Sequence, residues 1–205
     1  MLSLSTYGDH ATRFVRWTLA GILLASALTG CVPESEHPLS SLDTAVIDER
    51  LVGLWTGVLV DEPMYLHVFR RSEQSLEILA VNPGDETTPG SWLVLAVHSS
   101  EIDGDWYMNA KSLAEEEMIH DLADEDYLLF RYEVAARGGL VIWMMAGRIM
   151  NDVERGALGG EIERGDLFSS YRLSATTAEL IEYIRRNGPE AVFGVEIARF
   201  RPIAE

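Results

Sequence analysis

The chain has 205 residues, a formal net charge of −17 at pH 7, 47% hydrophobic residues and a single cysteine. This length is enough for one domain with its own hydrophobic core. A strongly acidic surface repels phosphate groups, so the composition argues against a nucleic-acid partner and against anionic lipid headgroups. A single cysteine also excludes an internal disulfide.

Residues 1–30 are typical of a bacterial signal peptide. Arg13 and Arg16 precede an apolar run over residues 17–28. A helix needs about 20 apolar residues to cross the hydrocarbon core of a membrane, and this run is shorter. The pattern therefore favours the core of a cleaved signal peptide over a membrane span.

The end of this segment, Leu28, Thr29, Gly30 and Cys31, resembles the lipobox of bacterial lipoproteins. The resemblance implies cleavage between Gly30 and Cys31, a diacylglycerol thioether on Cys31 and acylation of the new amine. A thiolate is the nucleophile that such a lipid transfer requires. The implied location is the bacterial cell envelope, with the chain lipid-anchored to a membrane. Val32 in place of aspartate resembles the pattern sent to the outer membrane.

One alternative for this segment is an ordinary secretory signal or an anchor helix that ends in an unrelated cysteine. Beyond it, "VPESEHPLSSLDTAVIDER" is rich in serine and proline and has little apolar periodicity. Residues 31–50 are therefore predicted to be the lipidated cysteine and a flexible tether. Residues 51–205 are predicted to form a single β-rich domain.

The domain is predicted to be mainly β. Short runs rich in Val, Ile, Leu and aromatic residues alternate with turn residues, and the spacings leave no room for helical crossovers in the first half. The fold class is therefore an antiparallel meander that forms either a barrel or a strongly curved sheet. The predicted strands cover residues 52–60, 64–70, 76–81, 92–97, 106–111, 127–134, 140–145, 168–173 and 195–200.

Two helices are predicted in the C-terminal half. Thr176 and Glu179 have the spacing of a capping box, and Gly188 followed by Pro189 ends the segment. A second helix is predicted over residues 146–158. The acidic stretch "AEEEMIHDLADED" is compatible with either an exposed helix or a loop.

The opening "LVGLW" resembles the first strand of lipocalins through Gly53, Leu54 and Trp55. That resemblance implies a lipocalin-like antiparallel barrel whose base is closed by the indole. The chain departs from the lipocalin pattern because a predicted helix falls between strands. The stretches "DERLVGLW", "DYLLFRYEV" and "YRLSATTAELIEYIRRNG" also resemble small uncharacterised bacterial lipoproteins, a resemblance that implies no particular activity.

The sequence offers no metal or nucleophile motif, so no cofactor and no enzymatic activity are expected. His37, His67, His98 and His120 lack metal-ligand spacing, and no serine lies in a G-x-S-x-G elbow. His67 and His98 are interpreted as core or pocket-lining residues. The acidic turns "EIDGD" and "LADEDY" are interpreted as hydrated loops rather than as paired carboxylates or a calcium site.

Aromatic residues on predicted strands form the candidate ligand site. Trp55, Tyr65, Trp92 and Trp106 are the predicted ligand-binding residues. The first hypothesis is a non-enzymatic module that binds a hydrophobic small molecule or an acyl chain; a core filled by side chains is the alternative. The second hypothesis is an assembly or inhibitor lipoprotein that meets a basic protein partner, and the third is a hydrolase that uses loop carboxylates or His98.

Overall fold

A computed structural model describes residues 33–115, 126–136, 138–164 and 169–203. The predicted signal peptide, its cleavage site at Gly30 and Cys31, and His120 lie outside these residues. The described residues form eleven strands: β1 (Glu34–Ser35), β2 (Gly53–Leu59), β3 (Glu62–Arg70), β4 (Leu76–Asn82), β5 (Ser91–Ile102), β6 (Asp105–Glu115), β7 (Tyr127–Val134), β8 (Leu140–Met144), β9 (Gly160–Arg164), β10 (Ser169–Leu173) and β11 (Val195–Pro202). They also form the helices α1 (Arg148–Glu154), α2 (Thr177–Asn187) and α3 (Pro189–Val192) and two 3₁₀ turns, Leu42–Thr44 and Glu49–Leu51.

Eight of the strands close into an antiparallel meander barrel. Strands β2 to β8 pair in chain order, and β6 pairs with β7. Strand β11 then lies between β8 and β2 and pairs with both, which joins the last strand to the first. The prediction of a mainly β antiparallel fold is confirmed, and of its two forms the structure adopts the closed barrel.

The segment between β8 and β11 carries the helices, as the sequence predicts. In α2 the predicted capping box is present: the Thr176 side chain accepts from the Glu179 amide, and the Glu179 side chain accepts from Thr176. The other predicted helix, over residues 146–158, is shorter because α1 spans only Arg148–Glu154. Gly156 has a φ of 69°, a left-handed conformation that does not continue a helix.

Several strands differ from the prediction. Strand β5 continues to Ile102, past the polar residues 98–101 that suggest a strand end. The His98 and Ser100 side chains bond to the N-terminal segment described next, and the Ser99 hydroxyl bonds to Tyr132, so these three polar side chains do not need water. Strand β9 has no predicted counterpart. It is short, and charged residues such as Glu161 and Arg164 obscure the alternation that is typical of a strand. Strand β1 was not predicted because two residues carry no periodicity.

The segment predicted as a tether packs against the barrel from Pro33 onward. Strand β1 pairs with β7 and with β10. Residues 36–52, which we call the N-terminal strap, then cross the outside of β5 and β6. Leu39 is buried, and its amide donates to Asn109 Oδ1 at 2.6 Å. The ordered domain therefore starts before residue 51, and residues 33–50 differ from the flexible tether that the sequence predicts.

Two hydrophobic cores result from this arrangement. One fills part of the barrel interior and includes Trp55, Val97 and Tyr132. The other lies between the outer wall of the barrel and the α1–α3 segment and includes Tyr107 and Phe193, whose ring centroids are 5.3 Å apart. The helices thus cover one side of the barrel and leave β2, β3 and β4 uncovered.

Candidate ligand-binding site in the barrel

The strap closes one end of the barrel, which we call the closed end. Leu51 is buried in the interior core, and the indole Nε1 of Trp55 donates to the Leu51 carbonyl at 2.8 Å. Trp55 lies near the start of β2 and is itself buried. The Trp55 indole therefore forms the floor of the barrel interior, as the lipocalin resemblance implies for this position.

A polar network fixes the strap to the barrel at the closed end. Arg50 donates to Asp48 through Nε and Nη2, both at 2.8 Å. The Tyr132 hydroxyl, which projects from β7 into the interior, lies 3.1 Å from Asp48 Oδ2 and 3.1 Å from the Ser99 hydroxyl oxygen. Buried polar groups must be paired in this way, so the network stabilises the closed end.

Asp48 has a pKa below its ordinary value. Burial alone would raise the pKa of this carboxyl, but the hydrogen bonds and the charge of Arg50, together with the Tyr132 hydroxyl, outweigh the effect of burial. A carboxyl whose pKa is lower in the folded state contributes stability above its unfolded pKa of about 3.9. That contribution is lost as the pH falls through the lower, folded-state pKa.

We expect Asp48→Asn to destabilise the protein above about pH 5 and the difference from the unchanged chain to shrink as the pH falls towards 2. The asparagine keeps the size of the side chain but removes the charge that binds Arg50. Urea unfolding at several pH values measures the difference. Asp43→Asn, on an exposed residue of the strap, is the control; an equal pH dependence in both variants would contradict the role of Asp48.

The opposite end of the barrel, which we call the mouth, has a different interior. Six half-buried apolar side chains lie there and towards the middle of the barrel: Leu59, Met64, Leu93, Leu95, Phe130 and Ile142. Their inward orientation follows from the pairing. Leu95 lies opposite the buried Ile78, for example, and opposing residues on neighbouring strands share a face of the sheet.

The interior therefore changes from filled at the closed end to partly accessible at the mouth. At the closed end, Val68, Leu76 and Val97 are at most 1% exposed. The six mouth residues are accessible although they point into the barrel. Apolar side chains that point into a barrel and remain partly accessible are typical of sites for hydrophobic small molecules. The fold is compatible with ligand binding.

The four aromatic residues predicted to bind a ligand do not meet in one cavity. Trp55 and Trp106 lie on the inside, both near the closed end, where the Arg50 guanidinium lies 5.4 Å from the Trp106 ring centroid. Tyr65 and Trp92 lie on the outer face: each is opposite Val81, and they are 47% and 40% exposed. The predicted set is therefore split between two faces of the sheet.

The mouth residues differ from the predicted ligand-binding residues, which are all aromatic, because five of the six mouth residues are not aromatic. The alternation of side chains along a strand could have found them. Once Trp55 is placed inside as the lipocalin resemblance implies, Leu59 of the same strand must also point inwards. Along β5 the same alternation places Leu93 and Leu95 inside the barrel and Trp92 on its outer face.

His67 and His98 also lie away from the barrel interior. His67 is exposed on the outer face, where its ring is 5.0 Å from that of Phe69. His98 is buried under the strap, with Nε2 at 2.7 Å from the Ser40 carbonyl oxygen, and burial lowers its pKa. Within the described residues, no group of three or more His, Cys, Asp or Glu side chains is placed to hold a metal ion.

A concavity lies at the closed end and opens to solvent. It has a volume of about 540 Å³ and is bordered by Arg50, Trp55 and the β7–β8 turn. Among the described residues that line this concavity, Arg50 is the only charged one, and Asp48 already engages its guanidinium.

Comparison with known proteins finds no matching protein family, no matching curated protein and no matching solved structure. The lipocalin resemblance therefore rests on Gly53, Leu54 and Trp55 and on the eight-strand barrel. In the part of the chain that the structure describes, no helix is long and apolar enough to cross a membrane.

Proposed function

We propose that this protein is a non-enzymatic binding module that takes a hydrophobic small molecule or an acyl chain into the mouth of its barrel. We further propose that it is a bacterial lipoprotein, anchored through lipid on Cys31 to a membrane of the cell envelope. The single observation that carries the binding proposal is the set of inward-pointing but accessible apolar residues at the mouth.

The shape and chemistry of the mouth support an elongated apolar ligand. The six mouth residues are uncharged, and the filled, polar closed end sets the depth to which a ligand can enter. Met64 and Phe130 add adaptable and aromatic surface to an otherwise aliphatic lining. Burial of an acyl chain contributes about 0.8 kcal/mol per methylene group to the binding free energy. Insertion of only part of an acyl chain into the mouth would therefore still favour binding.

Leu95→Trp is expected to weaken the binding of a fluorescent fatty acid at least tenfold, because the indole would fill the interior space beside Ile78, the partner of Leu95 on β4. The matched control is Val94→Trp. It places the same indole on the residue before Leu95 in β5, whose side chain points out of the barrel. Fluorescence titration of the full chain with cis-parinaric acid measures both affinities.

Equal affinities for the two variants would contradict a site in the mouth. Circular dichroism and urea unfolding should show that both variants fold, since each change adds an indole to a half-buried position.

A second candidate function is protein interaction, as an assembly or inhibitor lipoprotein. The outer face of β2 to β5 favours it. Tyr65, Leu54 and Val58 are exposed there, and Glu77 is the one acidic residue at the outward positions of these four strands, which the structure describes in full. If no variant binds the acyl probe, a protein that the full chain captures and that the Tyr65→Glu variant fails to capture would support this candidate.

A further inference from the structure

The Glu62 carboxylate shares the inner face of the barrel with the apolar residues of the mouth. Alternate residues of β3 are half-buried or buried: Glu62, Met64, Leu66 and Val68. The residues that lie between them are exposed: Pro63, Tyr65 and His67. Residues two apart in a strand point to the same face of a sheet. Because Leu66 and Val68 belong to the interior core, the Glu62 side chain also points into the barrel.

The β2–β3 turn fixes this orientation. Val60 and Asp61 have φ values of 49° and 68°, which are typical of a two-residue hairpin turn. A turn of this length sets the register of the two strands, and Glu62 lies opposite Leu59. Leu59 packs against the interior core, and opposing residues on neighbouring strands share a face. Glu62 is therefore placed at the mouth, at the outer end of the apolar lining.

The Glu62 carboxylate has no counter-charge in the part of the chain that the structure describes. No Lys, Arg or His side chain there forms an ion pair with it. The β2–β3 turn beside it and the β4–β5 turn, residues 60–61 and 83–90, contain acidic residues but no Lys or Arg. Burial of a carboxylate is unfavourable unless the charge is paired. The mouth thus combines an apolar lining with a half-buried, unpaired negative charge.

Two uncharged polar residues lie at the same end of the barrel interior. Asn82 ends β4, Ser91 begins β5, and the two are opposite each other and half-buried. Asn82 alternates with the buried Ile78 and Ala80, so it points inwards as well. The interior therefore changes from apolar to polar at the mouth. This is the order of groups in an amphiphile that enters the barrel with its tail first.

We propose that the ligand of the mouth is a cationic amphiphile, an alkyl chain with an ammonium headgroup, and that Glu62 selects this headgroup. The inference rests on the proposed function, since the alkyl chain would occupy the apolar lining. An ammonium group beside Glu62 supplies the missing counter-charge, whereas a headgroup carboxylate is repelled there. The net charge of −17 acts in the same direction, because an acidic protein attracts cations to its surface.

Three ligands with the same sixteen-carbon chain test the selection. Hexadecylamine, hexadecanol and hexadecanoic acid are positive, neutral and negative at pH 7. Each would displace N-phenyl-1-naphthylamine, a fluorescent probe that is uncharged at this pH, from the full chain at low ionic strength. We expect the amine to bind about tenfold more tightly than the acid, which is the scale of one hydrogen bond to a charged group. The alcohol should lie between them.

Two variants assign the preference to Glu62. Glu62→Gln keeps the size of the side chain and removes its charge, so the affinities for the amine and the acid should become similar. The matched control is Asp61→Asn, which removes the neighbouring exposed charge; asparagine is favoured at the positive φ of Asp61, so the turn is kept. This control should retain the preference. Equal affinities for amine and acid in the unchanged chain, or the same loss of preference in both variants, would overturn the assignment.

The neutral ligand separates this inference from the proposed function. If hexadecanol binds but the amine is not preferred over the acid, the site in the mouth remains and only the headgroup selection is overturned. If neither the probe nor any of the three ligands binds, the proposed function fails and the headgroup selection fails with it.

Discussion

Replacement of Trp55 by alanine is expected to lower the free energy of unfolding by about 3–5 kcal/mol, the usual cost of truncating a buried tryptophan. The indole is 4% exposed and forms the floor of the barrel interior. Its loss also leaves the Leu51 carbonyl without the Nε1 donor that now binds it at 2.8 Å. Urea unfolding followed by circular dichroism measures the change.

Two further variants separate the contributions at this position. Trp55→Phe keeps most of the apolar volume but removes the donor, so we expect an intermediate loss. Trp92→Ala is the control for tryptophan removal; because Trp92 lies on the outer face, its cost should stay below about 1 kcal/mol. Equal losses for Trp55→Ala and Trp92→Ala would contradict the inward position of Trp55.

Gly57→Ala is expected to destabilise the protein by about 3 kcal/mol, at the upper end of the range for overpacked sites. A Cβ atom at this position would lie 2.1 Å from the Arg199 carbonyl oxygen and 2.7 Å from the Phe200 Cα. Both are backbone atoms of β11, so they can move only if the β2–β11 pairing that closes the barrel is disturbed. Thermal and urea unfolding measure the loss.

The control for Gly57→Ala is Gly147→Ala. Gly147 precedes α1, is exposed, has a φ of −58° and has no atom within 4 Å of a built Cβ. The change in stability there should stay below about 1 kcal/mol in either direction. A mild effect of both substitutions would show that β2 and β11 do not approach each other as closely as the structure has them.

The antiparallel strands and the capped helix α2 could be predicted because their signals are local. Turn residues separate apolar runs, and Thr176 and Glu179 are three residues apart. Closure of the barrel could not be predicted in the same way. It depends on the pairing of β11 with β2, which lie more than 130 residues apart in the chain, and no local pattern encodes that contact.

The strap shows a different limit of sequence reasoning. Serine and proline in residues 33–50 favour a tether, yet Ser40 lies against the barrel because β5 and β6 supply its partners. The Ser40 hydroxyl is 2.6 Å from that of Ser100, and Asn109 Nδ2 donates to the same Ser100 oxygen. These partners lie about 60 residues away in the chain. The composition of the segment alone therefore predicts exposure to solvent, whereas the structure places the segment against the barrel.

An apolar barrel interior could be predicted from the sequence, but the residues that line it could not. The abundance of apolar residues on strands indicates a hydrophobic interior, which the barrel has. Apolar residues occupy both faces of β2 to β5, however, so the sequence does not say which face is inside. Tyr65 and Trp92, two of the four predicted ligand-binding residues, lie on the outer face, next to residues that do point inwards.

The central claim is that the mouth of the barrel holds a hydrophobic molecule, and mass spectrometry of an organic extract tests it most directly. The full chain, Leu95→Trp and Val94→Trp would each be purified from the native envelope without added lipid and extracted in parallel. We predict a hydrophobic compound in near-stoichiometric amount from the full chain and from Val94→Trp, and its loss from Leu95→Trp. An empty, well-folded full chain, or the same compound in equal amount from both variants, would contradict the claim.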